Sequence, residues 1–308
     1  MTVALRFENV VKRYGRRRAL DGISLTVPAG SITGLVGSNG AGKTTLMAVT
    51  AGFLRIRSGV IDVLGEGPFH PERHRGRLAL LPQDAELPRD ATPRNVLMFY
   101  GELQGLRRAE ARRQTDLLLE RVHLSDRATS PTRSLSHGMR KRVMIAQCFL
   151  GQPDLILLDE PLSGLDPREA ASMRDFFAES RGQRTLVISS HNLHELEQLC
   201  DYVIFVENGR TVRQDTLDAI TGRSAQITYL LGEGNSPDVA ALEQALADLR
   251  IEYDAATRSL TCWYQEDLHQ PTTVNHVLIP LLLQTGCTLL EVRRGERLER
   301  KYLHPGPG

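Results

Sequence analysis

The sequence predicts an α/β protein: a parallel-sheet core interrupted by a helical insertion and followed by a smaller α+β unit. Three observations predict it. Short, nearly continuous apolar runs at Ser31–Val36, Leu78–Leu81, Leu155–Leu158 and Thr185–Ser190 have the pattern of strands buried on both faces, as in a parallel sheet. The first run leads straight into a glycine-rich loop with helix formers behind it, a strand–turn–helix unit. After Gly222 the apolar spacing changes to the order βαββαβ.

Leu5–Val27 reads as two strands around a polar turn at Gly15–Arg18. Residues 84–152 take helical spacing, with helices at Arg94–Leu106, Arg108–Val122 and Ser136–Leu150 and breaks at Pro88, Pro93 and Pro131. The many arginines there read as a solvated helix face. A further helix is expected at Asn192–Leu199. The first domain is thus expected to span residues 1–221 and the second 222–308. In the second, strand Ala225–Leu231, helix Pro237–Leu249, strands near Ile251 and at Leu260–Tyr264, helix Thr273–Thr285 and strand Cys287–Arg293 make a ferredoxin-like order. A terminal helix is expected at Glu296–Leu303.

Composition narrows the function classes. The 308 residues carry 38 Lys and Arg against 37 Asp and Glu, a net charge of +1, so no overall field draws the chain to nucleic acid. The C-terminal 86 residues hold eight basic against eleven acidic side chains, which is equally unsuited to a polyanion. Cys148, Cys200, Cys262 and Cys287 lie at wide intervals without a CxxC pair, the usage of buried thiols in a reducing cytosol. The N-terminus has no secretory h-region. Leu268–Leu290 lacks Lys, Arg, Asp and Glu but contains twelve polar, Pro or Gly residues, too many for the roughly 20 mostly apolar residues of a membrane span. Membrane contact is therefore expected through another polypeptide.

Chemistry enters at Gly37, Ser38, Asn39, Gly40, Ala41, Gly42, Lys43 and Thr44, followed by Thr45. This run fits G-x-x-x-x-G-K-[ST] in the required place, after a strand and before a helix. Its glycines let successive backbone N–H groups point at phosphates, and the helix N-terminus adds its positive end. Lys43 neutralises the terminal phosphates of ATP, and Thr44 offers a hydroxyl to Mg²⁺. Leu155–Glu160 is an apolar strand ending in two acids. Downstream of such a loop, Asp159 reads as a ligand of the magnesium shell and Glu160 as the base that polarises water. The pair His191 and His194 lacks the HExxH arrangement and does not read as a metal site.

In motif order, residues 3 to about 220 resemble the nucleotide-binding subunits of ABC transporters, P-loop NTPases with a helical subdomain. Gln83 in LLPQD stands where the family's Q-loop falls, Ser163–Asp166 where the D-loop falls, and His191 where the switch histidine falls. Tyr14 stands where the family stacks an aromatic on adenine. The signature LSGGQ appears as Leu135-Ser136-His137-Gly138-Met139, with Ser136 and Gly138 retained and His137 and Met139 departing. The resemblance implies that Glu160, His191 and Gln83 serve catalysis and that Thr44, Gln83 and Asp159 face the metal. It implies that Tyr14, the loop, Ser136, Gly138 and Asp166 meet nucleotide, the signature acting on a partner's γ-phosphate.

It further implies a homodimer or heterodimer of cassettes on a transmembrane permease, peripheral on the inner face of the cell membrane, with no nucleic-acid partner. The GM ending of the signature and the closing VRRGERLERKYL resemble cassettes of type-2 exporters, with an importer as the alternative. A soluble ABC ATPase acting on nucleic acid or ribosomes is the rival reading. It is disfavoured by the single cassette and the lack of sustained heptads. A regulatory subunit that binds ATP without hydrolysing it is disfavoured by the joint presence of Glu160 and His191.

Overall fold

A computed structural model describes residues 2–221, 226–246, 249–265 and 268–294. In chain order it contains β1 (Val3–Tyr14), β2 (Arg17–Pro28), β3 (Ile32–Val36), α1 (Lys43–Thr50), β4 (Ser58–Val63), β5 (Leu78–Leu81), α2 (Pro93–Leu103), α3 (Arg108–Arg121) and α4 (His137–Gln147). Then follow β6 (Leu155–Asp159), α5 (Pro167–Ala178), β7 (Thr185–Ser190), α6 (Leu193–Leu199), β8 (Tyr202–Glu207), β9 (Arg210–Thr216) and α7 (Leu217–Thr221). The remainder is β10 (Gln226–Leu231), α8 (Val239–Ala245), β11 (Arg250–Asp254), β12 (Ser259–Trp263), α9 (Pro271–Gln284) and β13 (Leu289–Arg294).

The first two strands do not join the parallel core. The two residues between Tyr14 and Arg17 permit only an antiparallel hairpin, and β1 pairs with β2 on one side and β4 on the other in a separate three-stranded sheet of order β2-β1-β4. Strand β4 had no clear sequence signal, because SGVIDV begins with three exposed residues. The hairpin turns its apolar side chains onto a core shared with α1, including Leu5, Phe7, Leu20, Ile23, Leu25, Leu46 and Met47.

The six-stranded sheet runs β5-β6-β7-β3-β8-β9, with parallel pairing from β5 through to β8. Every residue of β3, β6 and β7 is buried, which is why their sequences read as unbroken apolar runs. Because β6, β7 and β3 are neighbours and point the same way, the segments leaving their C-terminal ends emerge side by side. In open parallel sheets this edge is where ligands bind.

The chain divides into compact units Met1–Asp215 and Thr216–Gly308. The division falls ahead of the expected 221/222 boundary, so the short helix α7 goes with the second unit. Within that unit the sheet order is β11-β12-β10-β13 with antiparallel pairing throughout. Ile227, Tyr229, Leu260, Cys262, Val274, Leu278 and Leu282 form its core, and the buried Tyr229 hydroxyl donates to Asn275 Oδ1 at 2.8 Å. The terminal helix expected at Glu296–Leu303 lies outside the described residues.

All four cysteines are buried with free thiols. Burial pushes Cys148 and Cys262 up to about 12 and raises Cys200 as well. The nucleophile is the thiolate, so iodoacetamide at pH 7.5 is expected to leave the native chain unmodified. The unfolded chain should take up four groups by intact mass, and rapid native labelling of Cys148 would contradict this burial.

Candidate nucleotide site

The glycine-rich loop connects β3 to α1. Gly42 is the N-cap of α1 and holds φ 114°, and a Cβ there would lie 2.7 Å from the Ala19 carbonyl oxygen. Only glycine meets both demands. The helix begins at Lys43, a residue only 7% exposed. Its Nζ donates to the carbonyl oxygens of Gly37 at 2.7 Å and Ser38 at 3.3 Å, so the ammonium lies inside the curl of the loop. Ser38, Asn39, Gly40 and Thr44 are exposed at the loop surface, while Ala41 is buried beneath and donates its N–H to Ser38 at 3.1 Å. Thr45 is half-buried in the first turn.

The acid pair sits at the end of β6. Asp159 is 1% exposed; Ser189 Oγ on β7 donates to its Oδ1, while its Oδ2 is buried without a hydrogen-bond partner. Glu160 turns out of the strand at φ 50°, a left-handed conformation that a non-glycine residue adopts at a cost and that recurs at functional sites. Its N–H donates to the same Ser189 Oγ at 2.9 Å. Its Oε2 lies 2.9 Å from His191 Nδ1, and because an ionised carboxylate only accepts, Nδ1 carries the proton and donates. Ser189 therefore holds both acids, a role sequence reading missed. The only signal for it was its place in the run LVISS, two residues before His191.

Lys141 was also missed. It is 6% exposed, and burial pushes its ammonium below the ordinary lysine value against the opposing pull of Asp159, Glu160 and Asp84.

Ser136 and Asp166 have local tasks that their exposed positions allow alongside any contact with nucleotide. Ser136 caps α4, accepting from Met139 N–H at 3.1 Å, and Asp166 caps α5, accepting from Arg168 and Glu169 N–H at 2.9 and 2.8 Å. Such caps contribute about 1 kcal/mol each. Gly138 is buried where a Cβ would fall 2.4 Å from Glu169 Oε2, and Arg142 donates to Glu169 Oε1 at 2.8 Å. The signature turn is in this way anchored to the first turn of α5. His137 faces the D-loop: a Cβ on Gly164 would come within 2.9 Å of its Nε2.

Tyr14 ends β1 with its ring 48% exposed, and Lys12 Nζ lies 5.2 Å from the ring centroid. Gln83 is exposed just after β5 and lines a groove with Asp84, Glu86, Arg89, His137 and Arg140. The structure thus joins Asp159, Glu160, Ser189 and His191 by direct hydrogen bonds and places the loop on the neighbouring strand. No hydrogen bond links Gln83, Tyr14, Ser136 or Asp166 to these acids among the described residues.

The family model described as "ABC transporter" matches residues 20–163. The Nod factor export ATP-binding protein I of Ralstonia nicotianae is 33% identical over 274 residues, covering 86% of this chain and 83% of that protein. The daunorubicin resistance ATP-binding protein DrrA3 of Streptomyces coeruleorubidus is 34% identical over 255 residues, covering 82% and 81%. A solved ATP-binding subunit of an ABC transporter aligns with a TM-score of 0.65 and 30% identity over 71% of this chain and 92% of the other. With a phosphate loop, an acid-ended strand and a histidine on three adjacent parallel strands, and with relatives matched along most of its length, this chain belongs to the ABC transporter family as an ATP-binding, ATP-hydrolysing subunit.

Proposed function

We propose that the chain powers an exporter, pairing with a second cassette so that each signature completes the other's ATP site. Two copies of this chain would make a homodimer and a different cassette a heterodimer, both seated on a separate transmembrane permease at the inner face of the membrane. The observation that carries the catalytic reading is the hydrogen-bonded set Asp159–Ser189–Glu160–His191 at strand ends adjacent to the loop that buries Lys43. Export is supported by the relatives named for Nod factor export and daunorubicin resistance. No helix among the described residues is long and apolar enough to cross a membrane, which supports a separate permease.

In this reading Lys43 and the N–H groups of residues 38–44 hold the phosphates, and Tyr14 offers its free face to adenine. Glu160 accepts a proton from the water that attacks the γ-phosphate, with His191 Nδ1–H fixing the carboxylate through the 2.9 Å contact. The donor set of Thr44, Gln83 and Asp159 is a hydroxyl, an amide and a carboxylate, the hard oxygens magnesium takes. The unpartnered buried Asp159 Oδ2 fits such a ligand. When bound, Mg²⁺ would offset phosphate charge. Ser136, Gly138 and Asp166 lie on the face offered to the partner cassette. The reading of the C-terminal unit as ferredoxin-like is supported by its βαββαβ order and its antiparallel sheet.

Ser136→Arg tests the composite site. The isolated subunit should still bind ATP, because Ser136 acts only on the partner's nucleotide, while ATP-dependent dimerisation on a sizing column should be lost. A mutant that still dimerises with ATP would refute the trans role of the signature.

A further inference from the structure

The turn between β1 and β2 carries three consecutive arginines, and one of them is aimed at the phosphate loop. Arg17 Nη2 lies 3.5 Å from the Gly40 carbonyl oxygen, and a Cβ on Gly40 would come within 2.9 Å of the same nitrogen. The guanidinium therefore rests directly on the rim of the loop. Arg18 beside it is occupied elsewhere: together with Arg210 it binds Asp21, at 2.5 and 2.9 Å. Arg17 has no carboxylate partner among the described residues, and its single carbonyl contact is at the outer limit of a hydrogen bond. An exposed guanidinium held over an anion-binding loop, three residues after the Tyr14 ring and without its own anion, lacks a charge partner that a polyphosphate would supply.

We propose that Arg17 is a nucleotide-binding residue that contacts the phosphate chain from the hairpin side of the loop, opposite Lys43, and favours nucleotides by the number of their phosphates. The proposal rests on the reading of residues 37–44 as the phosphate site. It also gives the hairpin a function beyond packing, since the turn that ends in Tyr14 on one side begins the reach of Arg17 on the other. A loop with Lys43 alone has one mobile cation for a triphosphate. With Arg17 it has two, on separate elements, so binding ATP would draw the antiparallel sheet and the parallel core onto one ligand.

The test compares Arg17→Gln and Arg17→Lys with the wild-type full-length chain, titrating ATP, ADP and AMP in the presence of Mg²⁺ at two salt concentrations. For Arg17→Gln the expected result is about a tenfold weaker Kd for ATP. The loss should be smaller for ADP and slight for AMP, and the ATP difference should shrink at high salt. Arg17→Lys should recover most of the affinity. In the complex with the permease, KM for ATP should rise with kcat unchanged at saturation, and the melting temperature without nucleotide should match the wild type. Unchanged ATP affinity would overturn the proposal. So would an equal loss for ATP and AMP, or a loss accompanied by a lower nucleotide-free melting temperature, since these mark a nucleoside contact or a scaffolding role. Lys43→Ala run in parallel separates the two levels. If it binds ATP normally, the phosphate-site reading fails; if it loses ATP while Arg17→Gln does not, Arg17 alone is excluded.

Discussion

Glu160→Gln is expected to lower ATP turnover by about 10²- to 10⁴-fold, the usual cost of losing a placed general base, while ATP stays bound. The amide keeps the shape of the side chain but cannot take a proton from water. Its oxygen still accepts from His191 Nδ1–H, so the 2.9 Å contact at this corner survives the change. The N–H that donates to Ser189 belongs to the backbone and is untouched, so the left-handed turn at residue 160 persists. Removing a negative charge beside the γ-phosphate should favour the ATP-bound closed pair, so nucleotide accumulates uncleaved. The measurement is steady-state phosphate release beside retained radiolabelled ATP, made on the complex with the permease. Turnover near the wild-type rate would show that Glu160 is not the base, and His191 would become the next residue to test.

Lys43→Ala is expected to weaken ATP binding by roughly 30- to 4,000-fold, the range for deleting one partner of a buried, hydrogen-bonded charge pair. Two effects add in the same direction. The phosphates lose a desolvated cation, and the carbonyl oxygens of Gly37 and Ser38 lose the Nζ donor that holds the curl of the loop. Titration with a fluorescent ATP analogue reads the change. Unchanged affinity would remove Lys43 from the phosphate site.

The motif-bearing segments were legible because each is local. A strand followed by G-x-x-x-x-G-K-[ST] and a helix is one continuous run, and so is an apolar strand ending in Asp159 and Glu160. Strands β3, β5, β6 and β7 were read from unbroken apolar runs, since burial on both faces removes polar residues at every position. Helices α2, α3 and α4 were read from their spacing and their prolines. The helix expected at Asn192–Leu199 begins one residue later, because Asn192 is its cap and accepts from His194 N–H at 3.1 Å.

Other features depended on partners distant in sequence. Strand β4 announces itself poorly because its first half is exposed, and it becomes a strand only by pairing with β1. Ser189 is an ordinary small residue in an apolar run until strand order sets it beside residues 30 and 29 positions earlier, Asp159 and Glu160. Arg17 read as one of several turn arginines, and nothing in its neighbourhood distinguishes it from Arg16 or Arg18. The Gly40 rim beneath it, 23 residues on, does.

By itself, therefore, the sequence determined the chemical inventory on which the proposed site rests: a glycine-rich phosphate-loop motif, the strand-end pair Asp159 and Glu160, His191 and the turn at Ser136–Gly138, each encoded within a few adjacent residues. The tertiary structure alone decided that β6, β7 and β3 are neighbours. That order brings Glu160, Ser189 and His191 into hydrogen-bond contact, while the packing of the separate hairpin sheet against α1 lays Arg17 on the loop. The physical reason is that propensity and spacing act within a segment. The order of strands in a sheet is settled by which buried faces and backbone donors find each other once the whole chain has collapsed.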